Sequence, residues 1–171
     1  MKQPAYQCAC SGIAEDGMEV SKTKTICIAS HGDLGKTIAE DLQFWGIKFK
    51  RKVISLGAAL GAGTTRNESN LRSRLGKFCK RMVRFRKLKR AKVDTARLMR
   101  IGGVKAMTYG QAITGVPNYM LLAQRRAVAA AVAPAVGTRG QCLEMTLILA
   151  DGSNRGRADP AFDAHVLPIG Q

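Results

Sequence analysis

The spacing of apolar residues changes period along the chain, and each change predicts an element. Residues 1–16 are polar and glycine-containing, with no readable period. Met18 and Val20 then alternate with Glu19 and Ser21, and Ile26, Cys27, Ile28 and Ala29 form a short apolar run; this predicts one or two strands joined by the polar "SKTKT". The period lengthens next. Leu34, Ile38, Leu42 and Trp45 fall on one helical stripe, with Ser30 or Asp33 placed to cap its start and Gly46 to close its end. Residues 47–50 return to alternation, and "VISLG" is a second short apolar run ending at Gly57. This first third therefore predicts strand, helix, then strand or hairpin, which is α+β or α/β in character. The glycine-rich 57–65 that follows reads as flexible punctuation, a hinge between sub-domains. No Lys-Ser or Lys-Thr follows its last glycine, so it lacks the lysine a phosphate loop uses.

From there the pattern is helical. Thr65 and Glu68 have capping-box spacing, and Leu71, Leu75, Phe78, Met82 and Phe85 recur at alternating intervals of four and three. At about 100° per residue these five share one stripe, with Lys77, Lys80, Arg84 and Lys87 on or near the opposite face. Lys89 would fall back on the stripe, so the helix is expected to end or turn near Leu88, after roughly 30 Å. Two more helices are predicted, one from Val104 to Ile113 closing near Gly115, the other from Pro117 to just before Pro134. Met120, Leu121, Gln124 and Val128 give the second an apolar side. The apolar run Leu143 to Leu149 reads as a short strand, and a last short helix starts near Asp159.

The fold class expected is α+β: an unassigned segment 1–16, a small strand-helix-strand unit over 17–60, a strongly basic helical region over 61–136, and a tail over 137–171 with a short strand and helix. Composition sharpens this picture. Hydrophobic residues make up 46% and aromatic ones 5%, so a core must be aliphatic. The formal net charge is +16, and it is localised: Arg66 to Lys105 holds 15 basic residues against Glu68 and Asp94, whereas the other 131 residues carry 13 basic and 10 acidic side chains. A footprint this concentrated points to a polyanion, and nucleic acid is the default partner. Because a helix evolved only for solubility can mix signs and gain i to i+4 pairs, the near-absence of acids argues for phosphate contact by Arg74, Lys77, Lys80, Arg81, Arg84 and Lys87, without sequence preference. Arg125 and Arg126 extend the basic surface or are ordinary solvated charges.

Catalytic chemistry finds little footing. The histidines are His31 and His165; the first is more simply explained at a helix start, the second lies in a weakly patterned tail. The five cysteines, Cys8, Cys10, Cys27, Cys79 and Cys142, lack zinc-knuckle spacing, and ordinary reduced thiols are expected. The only adjacent carboxylates, Glu15-Asp16 and Glu40-Asp41, do not make a two-metal site, so no metal ligand is assigned. The start carries no secretory pattern, and the longest apolar run, 127–136, is too short to span a bilayer and is broken by Pro134. The expected location is intracellular, in nucleus or cytoplasm, with no membrane partner.

"GMEVSKTKTICIAS", "VISLG" and "MTYGQAI", taken in order with the basic stretch between the last two, resemble the end of the palm and the thumb-like region of non-LTR retrotransposon reverse transcriptases. Gly17, Lys24 and Thr25 fit the family's lysine motif, and Leu56-Gly57 its hairpin; "RSRLGKFCKRMVRFRKLKR" and Tyr109-Gly110 occupy the places of its basic helix and following helix. The resemblance implies that Lys24 lies near the incoming nucleotide's phosphates as an accessory catalytic residue. It implies too that Leu56 and Gly57 support the primer end, and that the basic helix grips the template-primer duplex. It further implies a fragment: the family's catalytic aspartates lie upstream of the lysine motif, so Mg is expected only for a complete polymerase whose preceding portion would be a partner. A stand-alone basic nucleic-acid-binding module, or a remnant of a retroelement without present function, are the alternatives.

Overall fold

The computed structural model describes residues 11–13, 15–17, 19, 21, 23–63, 66–133, 142–152 and 156–166. Expectations resting on Cys8, Cys10, Met18, Val20, Thr65 and Pro134 lie outside these residues. The described chain is mixed α and β and predominantly helical. It divides into two compact units, one grouping Met1–Val53 with Leu60–Arg66, the other Ile54–Ala59 with Asn67–Gln171.

The first unit is built on β1 (Ile26–Cys27), α1 (Gly32–Asp41) and β2 (Lys48–Phe49). β1 and β2 are parallel, with Ile26 opposite Lys48 and Cys27 opposite Phe49. Parallel neighbours need a crossover connection, which α1 supplies. The Phe49 ring lies under Gly35, where a Cβ would sit only 2.2 Å from Cε2 of the ring. Leu42 and Ile47 are buried. The predicted stripe is only partly inward, because Leu34 remains 55% exposed. Neither Ser30 nor Asp33 caps α1; His31 holds the N-cap position and makes no side-chain cap bond. Trp45 falls in a 3-10 turn, Gln43–Trp45, that Gly46 closes with φ 69°.

β3 (Lys52–Ser55) and β4 (Ala58–Gly61) pair through a two-residue turn at Leu56 and Gly57. Positive φ at both turn residues, 47° and 80°, matches the right-handed twist of a hairpin. The expectation of unstructured punctuation from residue 57 onward is therefore corrected: Ala58 and Ala59 are buried strand residues. Small side chains, invisible as an apolar period, are what allow that close approach.

The second unit is helical. The single basic helix expected is two, α2 (Ser69–Lys80) and α3 (Met82–Arg90), meeting at Arg81. There the Arg81 N–H bonds back to the Phe78 carbonyl at 2.9 Å, an i to i+3 step that tightens the turn. A stripe repeating every 3.5 residues drifts about 20° per heptad on a straight helix. One overwound turn cancels that drift and keeps both halves of the seam inward. Phe78 packs with Met99, Val104, Met107, Val128, Ala131 and Leu147, and Leu75, Met82 and Phe85 flank this cluster. Leu71 packs with Val116 and Met120. All five stripe residues thus dock as their periodicity predicts.

Asp94 caps α4 (Thr95–Leu98) by accepting from the N–H groups of Ala96 and Arg97 at 2.9 and 3.1 Å, and a π turn, Met99–Gly103, runs on into α5 (Val104–Thr108). The helix predicted for 104–113 breaks at Tyr109 and Gly110, whose φ of 86° starts α6 (Gln111–Thr114). α7 spans Asn118–Val132. The run from Leu143 is not a strand but α8 (Leu143–Asp151), packed on α7 through Leu147. Phe162–Val166 forms a last π turn.

Candidate nucleic-acid interface

Burying one face of α2 and α3 turns the charges of the other face outward. Lys77, Lys80, Arg81, Arg84 and Lys87 are all exposed. Among the described residues none of these five lies within ion-pair distance of a carboxylate. The two helices present about 18 Å and 14 Å of cationic surface. Neighbours in this row, at most three residues apart, lie within one Debye length, about 10 Å at 0.1 M salt, so their potentials add.

Other cations are used inside the fold. Arg74 is half-buried; its guanidinium donates to the carbonyls of Gly57, at 3.0 Å, and of Tyr109, and lies 4.9 Å from the centroid of the Tyr109 ring. Asn70 Nδ2 donates to the same Gly57 carbonyl. Together they fasten the Leu56-Gly57 turn to α2. A Cβ at Gly57 would meet Arg74 and Tyr109 at 3.1 Å, so glycine is required there for space as well as for φ. Leu56, by contrast, is 93% exposed.

Arg72 pairs with Glu68 at 2.9 Å and donates to the Tyr119 hydroxyl at 2.8 Å, and its pKa is raised, first by the hydrogen bond to Glu68. Arg125 binds Asp159 at 3.0 Å and Glu144 at 3.5 Å, so it ties α7 to the chain beyond α8. Arg126 is exposed. Lys89, the cation on the apolar stripe, turns its ammonium to the carbonyls of Ala130, at 3.2 Å, and Ala133 at the end of α7. Burial lowers its pKa, with Arg86 adding a smaller repulsion.

Lys24 lies in the first unit, exposed in a turn just before β1, its N–H donating to the Ser21 carbonyl at 3.2 Å. Leu56, Gly57, Arg74 and the α2–α3 cations belong to the second unit. The sequence reading missed the Asn70–Arg74 fastening and the role of Lys89. For Lys89 a signal was present, since a lysine on an apolar stripe must find carbonyls or turn aside. For Arg74 there was none, because its partners are backbone atoms of residues 57 and 109.

Among the described residues no group of three or more His, Cys, Asp or Glu side chains is placed to hold a metal ion. No described helix is long and apolar enough to cross a membrane. No protein-family model, curated protein or solved structure matches the chain.

Proposed function

We propose that this chain binds nucleic acid through the outer face of α2 and α3, gripping the phosphate backbone of a template-primer duplex as the palm end and thumb-like region of a non-LTR retrotransposon-type reverse transcriptase. The observation that carries the reading is the row Lys77, Lys80, Arg81, Arg84 and Lys87, exposed and without carboxylate partners among the described residues, over a seam that fixes both helices in place. A docked helix with a one-sign outer face holds its charges in position for a polyanion, whereas mixed signs would serve solubility equally well. On this reading β1, α1 and β2 are the palm end, Lys24 approaches nucleotide phosphates, and the Leu56-Gly57 hairpin faces the primer end. The activity assigned to this chain is binding, and no polymerisation step is assigned to it.

Anisotropy titration of a labelled duplex over a range of salt tests the proposal. Log affinity should fall linearly with log salt, with a slope of about −0.9 for each phosphate neutralised. Lys80→Gln, Arg84→Gln and Lys87→Gln should each weaken binding to all sequences alike and reduce the slope by about 1. Affinity that does not change between low and moderate salt would rule out the phosphate grip.

A further inference from the structure

The α2–α3 cations address phosphates, but a second feature of the same unit addresses something else. Leu56 is 93% exposed at a hairpin tip and adopts φ 47°, a conformation that costs any residue with a Cβ free energy and gives this one no packing in return. Tyr109 leaves 57% of its surface open while its ring edge lies against Gly57. The backbone at both is firmly held. Asn70 and Arg74 both bond the Gly57 carbonyl between them, Arg74 also bonds the Tyr109 carbonyl, and its guanidinium lies against the tyrosine ring. Gly110 meets Ala58 so closely that an added Cβ would lie 3.3 Å from its Cα, which fixes the backbone after the ring against the hairpin.

We propose that Tyr109 and Leu56 form a stacking platform for an unpaired nucleobase, so that the protein prefers nucleic acid with a single-stranded overhang to a blunt duplex. This rests on the nucleic-acid reading above and adds to it a distinction the phosphate grip cannot make. Phosphates present the same charge in paired and unpaired strands, whereas only an unpaired base offers a free face. An exposed aromatic ring backed by a guanidinium over one face, with an aliphatic neighbour in the chain, is a combination that binds base faces without reading sequence. The fastening places the ring and the Leu56 backbone before the ligand arrives, so little freedom of the ring is lost on binding. Ligand selection follows from chemistry within one unit: cations from α2 for the strand, Tyr109 and Leu56 for its exposed base.

The test compares anisotropy affinities of the full chain for a blunt duplex and for the same duplex with a short overhang carrying 2-aminopurine at its first unpaired position. The expected result is an overhang preference of at least about fivefold, with the 2-aminopurine emission changed on binding. Tyr109→Leu should bring the ratio of the two affinities close to one, and Tyr109→Phe, which keeps the ring, should retain it. Leu56→Gly, which relieves the backbone strain and so does not threaten the fold, should lower the ratio in part. Salt-steep binding with no overhang preference, or a preference that survives Tyr109→Leu, overturns the platform and leaves the phosphate grip standing. Salt-independent binding to both ligands overturns the grip and the platform together.

Discussion

The two units of this chain solve the same packing problem at different depths. The first closes two-residue strands under α1, and its buried apolar side chains among the described residues are Leu42 and Ile47, with Leu34 and Phe44 left outside. The second gathers Met99, Val104, Met107, Val128, Ala131 and Leu147 around Phe78. Only the second carries a dense charge of one sign, and the difference in depth is what makes that tolerable. Two exposed like charges 4 Å apart repel by about 1 kcal/mol in water, less at helical spacing and in salt. Burying Leu71 and Phe78 contributes about 1.5–3 kcal/mol each. The seam therefore outweighs the repulsion, and the cations can stay unpaired.

If depth separates the units, truncating the deeper core should cost more. Phe78→Ala is expected to destabilise the second unit by about 3–5 kcal/mol, the range for a buried ring that leaves a cavity. Leu42→Ala should cost about 2 kcal/mol, at the low end for buried leucine, because thinner surroundings collapse more easily. Urea unfolding of each variant, with hydrogen exchange to assign which amides lose protection, makes the comparison. Equal losses at the two positions would show that the first unit is as firmly cored as the second.

The first unit should instead depend on one contact. Gly35→Ala drives a methyl to within 2.2 Å of the Phe49 ring, which must rotate away from α1. A loss of about 1–3 kcal/mol is expected, read by urea unfolding together with the Phe49 ring resonances. An unchanged ring and unchanged stability would mean that α1 is held by something other than this contact. The opposite sign is expected on the outer face of α2. Gly76 is exposed in the middle of the helix with no atom within 4 Å of an added Cβ. Gly76→Ala should therefore raise the unfolding midpoint, by about 0.5–1 kcal/mol in stability.

What was legible in the sequence follows the same division. The seam Leu71, Leu75, Phe78, Met82 and Phe85 could be read because large apolar side chains at helical spacing have one solution, and the exposed cations between them followed from it. The helix of 95–103 could not be read, since Gly102 and Gly103 suppress helix propensity and the Asp94 cap is a local signal with no apolar period behind it. The stretch that forms α8 reads as a strand because Leu143 to Leu149 is apolar on nearly every side, and a short run of that kind has no period to distinguish strand from helix. At the candidate site the free cations were legible by position, whereas the inward turn of Arg74 was not, because it is decided by carbonyls distant in sequence.

Lys89 is the place where the comparison between inner seam and outer charge breaks down, and it gives the smallest effect. Its ammonium is drawn in to the last carbonyls of α7, a favourable end of a helix for a cation, yet burial lowers its pKa from the ordinary 10.5. In the folded chain the charged form is therefore disfavoured relative to the unfolded one. The unfolded chain binds more protons in the window between the lowered value and 10.5, so stability gained from this group rises with pH across that window. Thermal unfolding of the wild type and Lys89→Met, compared in steps from neutral pH to 10.5, isolates the group. The difference between the two should move in favour of the wild type as pH rises. A difference that moves the other way would show that hydrogen bonding to Ala130 and Ala133 favours the ammonium more than burial penalises it, which would make Lys89 a member of the cap rather than a charge the seam merely accommodates.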